Sequence, residues 1–315
     1  MGAILLAVTG LDPKPWEERF RTLAPQRDIR IWPDRVGEPA EVAYACAWHA
    51  LNGLFARFAH LKAIFSLGAG VDHVVADPHL PDVPVVRIVD ANLTMRMTEY
   101  VVLHVLLHHR RQRLYDAQQR ARVWRELEQS AANEVAVGVM GLGVLGRDAA
   151  SALRRLGFRV AGWSRTPKSL TGVETFDGQD GLDPFLRRTE ILVCLLPATA
   201  ATRGVLNLSL LRRLKRDGAA GGAYLINAGR GALQVDADIV AALDEGSLAA
   251  ATLDVFPTEP LPLASPLWTH PKVTITPHNA AASDPRALVA NVLRQLERFE
   301  AGLPLEQVLD RATGY

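Results

Sequence analysis

The run VGVMGLGVLGRDAASALRRLG, residues 137–157, limits what this chain can fold into more than any other stretch. A β-type apolar run leads directly into Gly141, Gly143 and Gly146, and a helical pattern follows at once. Between a strand and a helix the three glycines allow, in turn, a tight turn, a close backbone approach to a pyrophosphate, and close packing of helix on strand. The Gly-x-Gly-x-x-Gly spacing alone is weak evidence, because glycines serve ordinary turns; the strand and helix around it make it a dinucleotide-binding turn. The pyrophosphate then belongs at the N-terminus of the helix beginning near Val144, where unpaired amide groups and the helix dipole favour negative charge. Leu142, Val144 and Leu145 complete the turn.

About 20 residues beyond such a turn an acidic side chain ordinarily meets the adenosine ribose 2′-hydroxyl. This chain has AGWSRTPKSL at residues 161–170, with no acid in it. Trp163, Ser164, Arg165, Thr166 and Lys168 stand there instead. An aspartate would repel a 2′-phosphate, whereas arginine, lysine and hydroxyls suit one. In isolation Arg165 and Lys168 read as a solvated loop. Behind a well-placed glycine turn they point to a phosphorylated ribose, so NADP(H) is expected in preference to NAD(H).

A length of 315 residues is too long for one compact core and suits two domains. With 49% hydrophobic and 22% charged residues the composition is that of a globular protein. A net charge of +1, without a run of Lys and Arg, argues against a nucleic-acid partner or an anionic membrane surface. Cys46 and Cys194 sit in the apolar runs YACAW and ILVCLLP and read as buried thiols. The N-terminal MGAILLAVTG lacks a basic n-region and reads as a first strand, and Leu6 stands where an N-myristoylation signal wants Ser or Thr. No apolar stretch approaches the ~20 residues needed to cross a bilayer, so the cytoplasm is the expected location.

Short apolar runs alternate with longer amphipathic ones, which argues for α/β architecture with helices on both faces of parallel sheets. Strands are expected near 3–8, 28–31, 42–46, 63–66 and 85–88, then near 135–140, 158–163, 190–195, 223–227, 250–254 and 272–276. A long helix is expected from an N-cap-like Thr94 to Arg113, and a last helix from about Asp284 to Glu300, returning to the first domain. His104 and His108 are four apart on the long helix, but without the carboxylate of H-E-x-x-H they read as ordinary helix histidines rather than metal ligands.

Three later segments carry polar groups at the ends of apolar runs, where open α/β sheets bind ligands. AYLINAGRGAL sets Arg230 between two glycines, which lets a guanidinium approach a planar carboxylate with both arms. ATLDVFPTEPLP carries Asp254 and Glu259, and VTITPHNAAAS carries His278. One His, one Glu and one Arg at separate strand ends can serve as acid, tuner and anchor.

Taken together, GLGVLG, NAGRGAL, LDVFPTEPLP, PLWTHPKVTITPH and LGAGVD at 67–72 resemble the D-isomer-specific 2-hydroxyacid dehydrogenases over nearly the whole chain. GWSRTPKS, AWH and the closing DRATGY look most like the glyoxylate/hydroxypyruvate reductase branch that prefers NADPH. The resemblance implies two doubly wound parallel-sheet domains, Rossmann- and flavodoxin-like, with the active site in an interdomain cleft: residues 1–98 with 284–315 for substrate, and 99–283 for the dinucleotide. It makes Arg230 the anchor of the substrate carboxylate, His278 the acid/base and Glu259 its partner. It sets the backbone of Gly68, Ala69, Gly70 and Val71 against the substrate carboxylate; Trp48, His49 and Trp268 are candidates for lining the substrate pocket, and each could equally pack under a loop. It also assigns Leu196, Pro197, Ala228, Gly229 and Asp254 to the cofactor, with Asp254 near the nicotinamide. An ionised Glu259 bonded to the imidazole would favour its protonated form and fix its tautomer. The implied reaction is reduction of a small 2-keto acid to the D-2-hydroxy acid by a homodimer. The alternatives are an NAD-preferring relative of other substrate range, or a dinucleotide-sensing binding protein on the same fold.

Overall fold

The computed structural model describes residues 2–311 and 314. Met1, and Ala312, Thr313 and Tyr315 of the closing DRATGY, lie outside the described residues. The chain begins β1 (Ala3–Val8), α1 (Lys14–Leu23), β2 (Ile29–Ile31), β3 (Val42–Trp48), β4 (Ala63–Ser66), α2 (Asp72–Val75), β5 (Val85–Val86) and α3 (Ala91–His109). It continues through α4 (Gln112–Arg120), β6 (Ala136–Met140), α5 (Val144–Arg155), β7 (Arg159–Ser164), β8 (Glu174–Asp177) and α6 (Leu182–Arg188). The remaining elements are β9 (Ile191–Cys194), α7 (Leu208–Leu211), β10 (Tyr224–Asn227), α8 (Asp236–Asp244), β11 (Ala250–Leu253), β12 (Val273–Ile275) and α9 (Pro285–Glu300).

Two compact units result, Met1–Leu93 with Ala282–Tyr315, and Thr94–Ala281. The first holds a five-stranded parallel sheet in the order β2-β1-β3-β4-β5. Alternation along its strands divides the core. Ile4, Leu6, Cys46 and Phe65 meet Trp16 and Phe20 of α1 and Leu288, Val292 and Leu296 of α9. Leu5, Ala7, Ala45 and Ile64 meet Leu54, Phe55 and Phe58 on the other face. Burial on both faces is why these strands read as unbroken apolar runs.

The second unit holds a seven-stranded parallel sheet in the order β12-β11-β10-β9-β6-β7-β8. The chain winds outward in both directions from β6 and β9, so the switch point lies between them, where the glycine turn leaves β6. Met140, Leu192, Cys194 and Leu225 pack beneath α6, α7 and α8. Val137, Val139, Val193 and Ile226 pack beneath α3 and α5.

Two sequence expectations need correction. The long helix begins at Ala91, where the Asp90 carboxylate accepts from the Asn92 and Leu93 amides at 2.9 and 3.1 Å, so Thr94 is not its cap. It ends at His109, because Arg111 takes φ 54°, which breaks the i→i−4 ladder before α4. The edge strand β8 has no counterpart among the expected strands; its sequence, Glu174-Thr175-Phe176-Asp177, lacks the apolar run of a strand covered on both faces.

His108 faces the sheet, fully buried, with Nε2 3.0 Å from the Thr252 hydroxyl and its ring against Tyr224. Burial, reinforced by nearby His104 and Arg113, pushes its pKa down to about 3, and burial lowers those of His104 and His109 as well. The unfolded chain binds these protons near pH 6.5 and the folded one does not, so stability falls as pH drops through that window toward the folded values. Chemical denaturation at pH 7 and about pH 4.5 should show wild type losing a few kcal/mol, and His108→Gln losing roughly 2 kcal/mol less between the two conditions.

Candidate active site

The glycine turn has the properties a dinucleotide needs. Gly141 has φ +110°, and a Cβ there would lie 2.8 Å from the Leu195 carbonyl oxygen. A Cβ on Gly146 would lie 1.8 Å from the Gly141 oxygen, so α5 meets β6 backbone to backbone. Among the described residues, nothing beyond its own chain neighbours lies within 4 Å of the Cβ position at Gly143. Protein packing does not require glycine there, and the open space would admit a pyrophosphate. The Leu142 side chain is buried, so it offers a ligand only its backbone, while Val144 is exposed and Leu145 half-buried.

Neighbouring strand ends add the rest of this edge. Leu196 and Ala228 are buried, Pro197 accepts from the Thr202 hydroxyl at 2.7 Å, and the Gly229 amide donates to Asn227 Oδ1 at 3.1 Å. Past β7, Trp163 donates its indole N–H to the Gly178 carbonyl at 2.9 Å. Ser164 is buried and its hydroxyl donates to the Thr166 carbonyl at 2.9 Å. This bond shapes the loop that follows β7. Arg165, Thr166 and Lys168 are exposed.

Arg230, Glu259 and His278 come together across three strand ends of the second unit. His278 Nδ1 lies 2.6 Å from Glu259 Oε2, while Oε1 of the same carboxylate accepts from the Phe256 amide at 2.9 Å. Burial pushes the Glu259 carboxyl up, but hydrogen bonds from His278 and the Phe256 amide and the charges of His278 and Arg230 outweigh it and hold the group below the usual carboxylate range. An ionised carboxylate only accepts, so Nδ1 carries a hydrogen and Nε2 is left to gain or release a proton.

Arg230 belongs to the same construction. Its guanidinium donates to the Gly229 carbonyl at 2.8 Å. A Cβ on Gly231 would fall 1.9 Å from the Phe256 carbonyl carbon, so only glycine lets the arginine loop lie on the turn that aims Glu259. Beneath the loop, fully buried Asn227 donates to the Arg230 carbonyl at 3.3 Å and to Gln234 Oε1 at 2.8 Å, and Gln234 donates to Asp236 at 2.8 Å.

Asp254 is buried and binds the loop that carries His278. Its Oδ1 accepts from the Thr276 hydroxyl at 2.6 Å and the Asn279 amide at 3.0 Å, its Oδ2 accepts from the Ala280 amide at 3.1 Å, and its carbonyl accepts from the His278 amide at 2.8 Å. Tyr100 completes the network at 2.7 Å from the Thr276 hydroxyl. His278 itself takes φ 52°, a conformation that this clamp sustains. Sequence reasoning assigns Asp254 to the nicotinamide end and misses Asn227, Gln234, Thr276 and Tyr100, which look in sequence like ordinary strand, loop and helix residues.

Trp268 lies between Glu259 and His278 in sequence, and the other candidates belong to the first unit. Trp268 is half-exposed, with its indole N–H on the Pro262 carbonyl at 3.0 Å. In the first unit, Ser66 donates to the Gly70 carbonyl at 2.7 Å and accepts from the Gly68 amide at 3.3 Å, shaping the turn after β4. Gly68 lies directly on the Trp48 ring, Ala69 and Gly70 are half-buried, and the Val71 side chain is in the core.

A dinucleotide turn and an imidazole–carboxylate pair on one edge of a parallel sheet define a class, the α/β oxidoreductases that use a nicotinamide dinucleotide. The family description "D-isomer specific 2-hydroxyacid dehydrogenase, NAD binding domain" matches residues 102–280. A glyoxylate/hydroxypyruvate reductase A of Yersinia enterocolitica is 40% identical over 96% of this chain and 97% of its own. The crystal structure of an NADPH-dependent glyoxylate/hydroxypyruvate reductase from Sinorhizobium meliloti with NADP and sulfate is 46% identical, with a TM-score of 0.95 over 100% of both chains. That of a probable 2-hydroxyacid dehydrogenase from Rhizobium etli with NADP, HEPES and tartaric acid is 47% identical, with a TM-score of 0.94 over 100% of this chain and 99% of that one. The chain belongs to the D-isomer-specific 2-hydroxyacid dehydrogenase family.

Replacing Asp254 with Ala leaves one hydroxyl and two amides of the His278 loop without their acceptor, at a cost of roughly 3 kcal/mol. The expected outcome is a lowered Tm together with a turnover loss of at least about tenfold, measured by thermal melting and steady-state kinetics. A variant with unchanged turnover would leave the clamp without a role in placing His278.

Proposed function

We propose that this protein reduces small 2-keto acids of the glyoxylate/hydroxypyruvate class to D-2-hydroxy acids with NADPH. The observation that carries the proposal is the His278–Glu259 pair at 2.6 Å, with Arg230 close enough to help hold Glu259 ionised. Similarity to the NADPH-dependent reductase of Sinorhizobium meliloti supports the substrate class and the cofactor. The unit 94–281 serves the dinucleotide, and the unit 1–93 with 282–315 serves the substrate through Trp48 and the turn Gly68–Val71.

The residues present fit an NADP(H) molecule. The open position at Gly143 and the α5 N-terminus would hold its pyrophosphate, Ser164, Arg165, Thr166 and Lys168 its 2′-phosphate, and Leu196, Pro197, Ala228 and Gly229 would line its site, with Asp254 near the nicotinamide. When bound, this cofactor supplies the hydride for the keto carbon. Arg230 takes the substrate carboxylate through paired guanidinium N–H groups, which fixes the keto group relative to His278. His278 Nε2 gives its proton to the oxygen as that oxygen gains negative charge, and Glu259 stabilises the imidazolium before transfer. Oxidation of the hydroxy acid begins from the neutral imidazole.

The proposal extends to assembly and location. Leu103, Leu114, Val123 and Trp124 are exposed on α3, α4 and the segment after them, which suits a homodimer interface. No helix among the described residues is long and apolar enough to cross a membrane, which accords with a cytoplasmic enzyme. Light scattering tests the assembly.

A steady-state screen of NADPH oxidation with glyoxylate, hydroxypyruvate, pyruvate and a phenyl-substituted keto acid tests the activity. Turnover should favour the first two; cofactor binding without turnover on any of them would support a dinucleotide sensor instead. His278→Ala should lower kcat by about 10²- to 10⁴-fold.

The pH profile has a definite sign. Reduction draws its proton from the imidazolium, and an ionised Glu259 is needed to hold that ring in place. Because Glu259 stays ionised below the usual glutamate range, the pair persists into acid, and the reduction rate should not drop as pH falls through about 4.5 on its account.

A further inference from the structure

We propose that Arg147 is a positioning residue for the loop that meets the 2′-phosphate, and so a further determinant of cofactor preference; this rests on the NADP(H) reading above. Arg147 lies in the first turn of α5, next to the glycine turn, and its Nη2 donates to the Ser169 carbonyl at 3.1 Å. Seven residues on, and therefore on the same helix face, Arg154 lies against Gly172, its Cδ 2.8 Å from where a Cβ would stand. The connection between β7 and β8 is thus hydrogen-bonded to one face of α5 at Ser169 and packed against the same face at Gly172. Its ends are braced by the bonds from the Ser164 hydroxyl to the Thr166 carbonyl at 2.9 Å and from the Val173 amide to the Leu170 carbonyl at 3.0 Å. Arg147 holds the stretch between those braces, which carries Lys168 and follows directly on Arg165.

The physical consequence is preorganisation. A loop of exposed residues loses conformational entropy when it closes on a ligand, and a tie already present in the free protein reduces that loss. Helix α5 also carries the pyrophosphate site at its N-terminus, so a tie from the same helix sets the 2′-phosphate loop at a fixed distance from it. The bond to Ser169 uses one of five guanidinium donors, and the side chain adds its charge to those of Arg165 and Lys168. NADH has no 2′-phosphate and draws little from this loop, so the effect of Arg147 is selective.

Fluorescence titration of the purified full chain with NADPH and NADH tests this. Arg147→Ala should raise the Kd for NADPH about five- to tenfold and that for NADH less than about twofold. Arg147→Lys, which keeps a donor and the charge, should recover part of the loss. In an Arg165→Ala background the effect of Arg147→Ala on NADPH should shrink, because a positioning residue acts through the group it positions. Equal weakening of both dinucleotides, or full additivity with Arg165→Ala, overturns the proposal while leaving the NADP(H) reading intact. If Arg165→Ala alone leaves the NADPH preference unchanged, that reading fails and the proposal with it.

Discussion

Backbone contact between Gly146 and Gly141 sets how α5 meets the seven-stranded sheet, and much of the proposed chemistry depends on that meeting. With 1.8 Å between the Gly141 oxygen and the position of a Cβ on Gly146, no side chain can separate helix from strand. The helix N-terminus is held at the carboxyl end of β6, beside the switch point, where its unpaired amides face ligand space. The same helix fastens the loop after β7. One tight crossing therefore relates the two proposed phosphate sites, which are separate in sequence.

The acid–base pair depends on a second device, a layer of buried polar groups beneath the strand ends. The Asp254 carboxylate accepts three hydrogen bonds from the 276–280 segment, and Asn227 and Gln234 support the Arg230 loop. Apolar residues there would pack as well but would specify no single loop conformation. Fully satisfied polar networks do, because each misplaced group would lose a hydrogen bond in a low-dielectric setting. The positive φ of His278 is sustained by this network.

Most strands are legible in the sequence because both sheets are covered on both faces, which turns each strand into a short apolar run with defined ends. The exceptions follow the same logic in reverse. At the sheet edge, β8 needs no such run and shows none, and the break between α3 and α4 rests on one backbone angle at Arg111 within a continuous helical pattern. Of the site, the glycines, Arg230, Glu259 and His278 are visible because residue type and position at strand ends are local facts. The Ser164–Thr166 hydrogen bond is not, since it depends on the loop conformation, and the supporting roles of Asp254 and Thr276 emerge only once strand pairing is known.

By itself the sequence determined the parallel α/β class, the dinucleotide turn, the absence of an acid after β7 and the chemical groups available for proton transfer and anion binding. Each of these is fixed by neighbours within one strand, turn or helix. Only the tertiary structure decided that Glu259 reaches Nδ1 of His278, that Gly231 lies on Phe256, and that Asp254 clamps the histidine loop. The reason is register. Thr252 pairs with Thr274 and Leu253 with Ile275, and this alignment of β11 with β12 brings segments about twenty residues apart to the same edge.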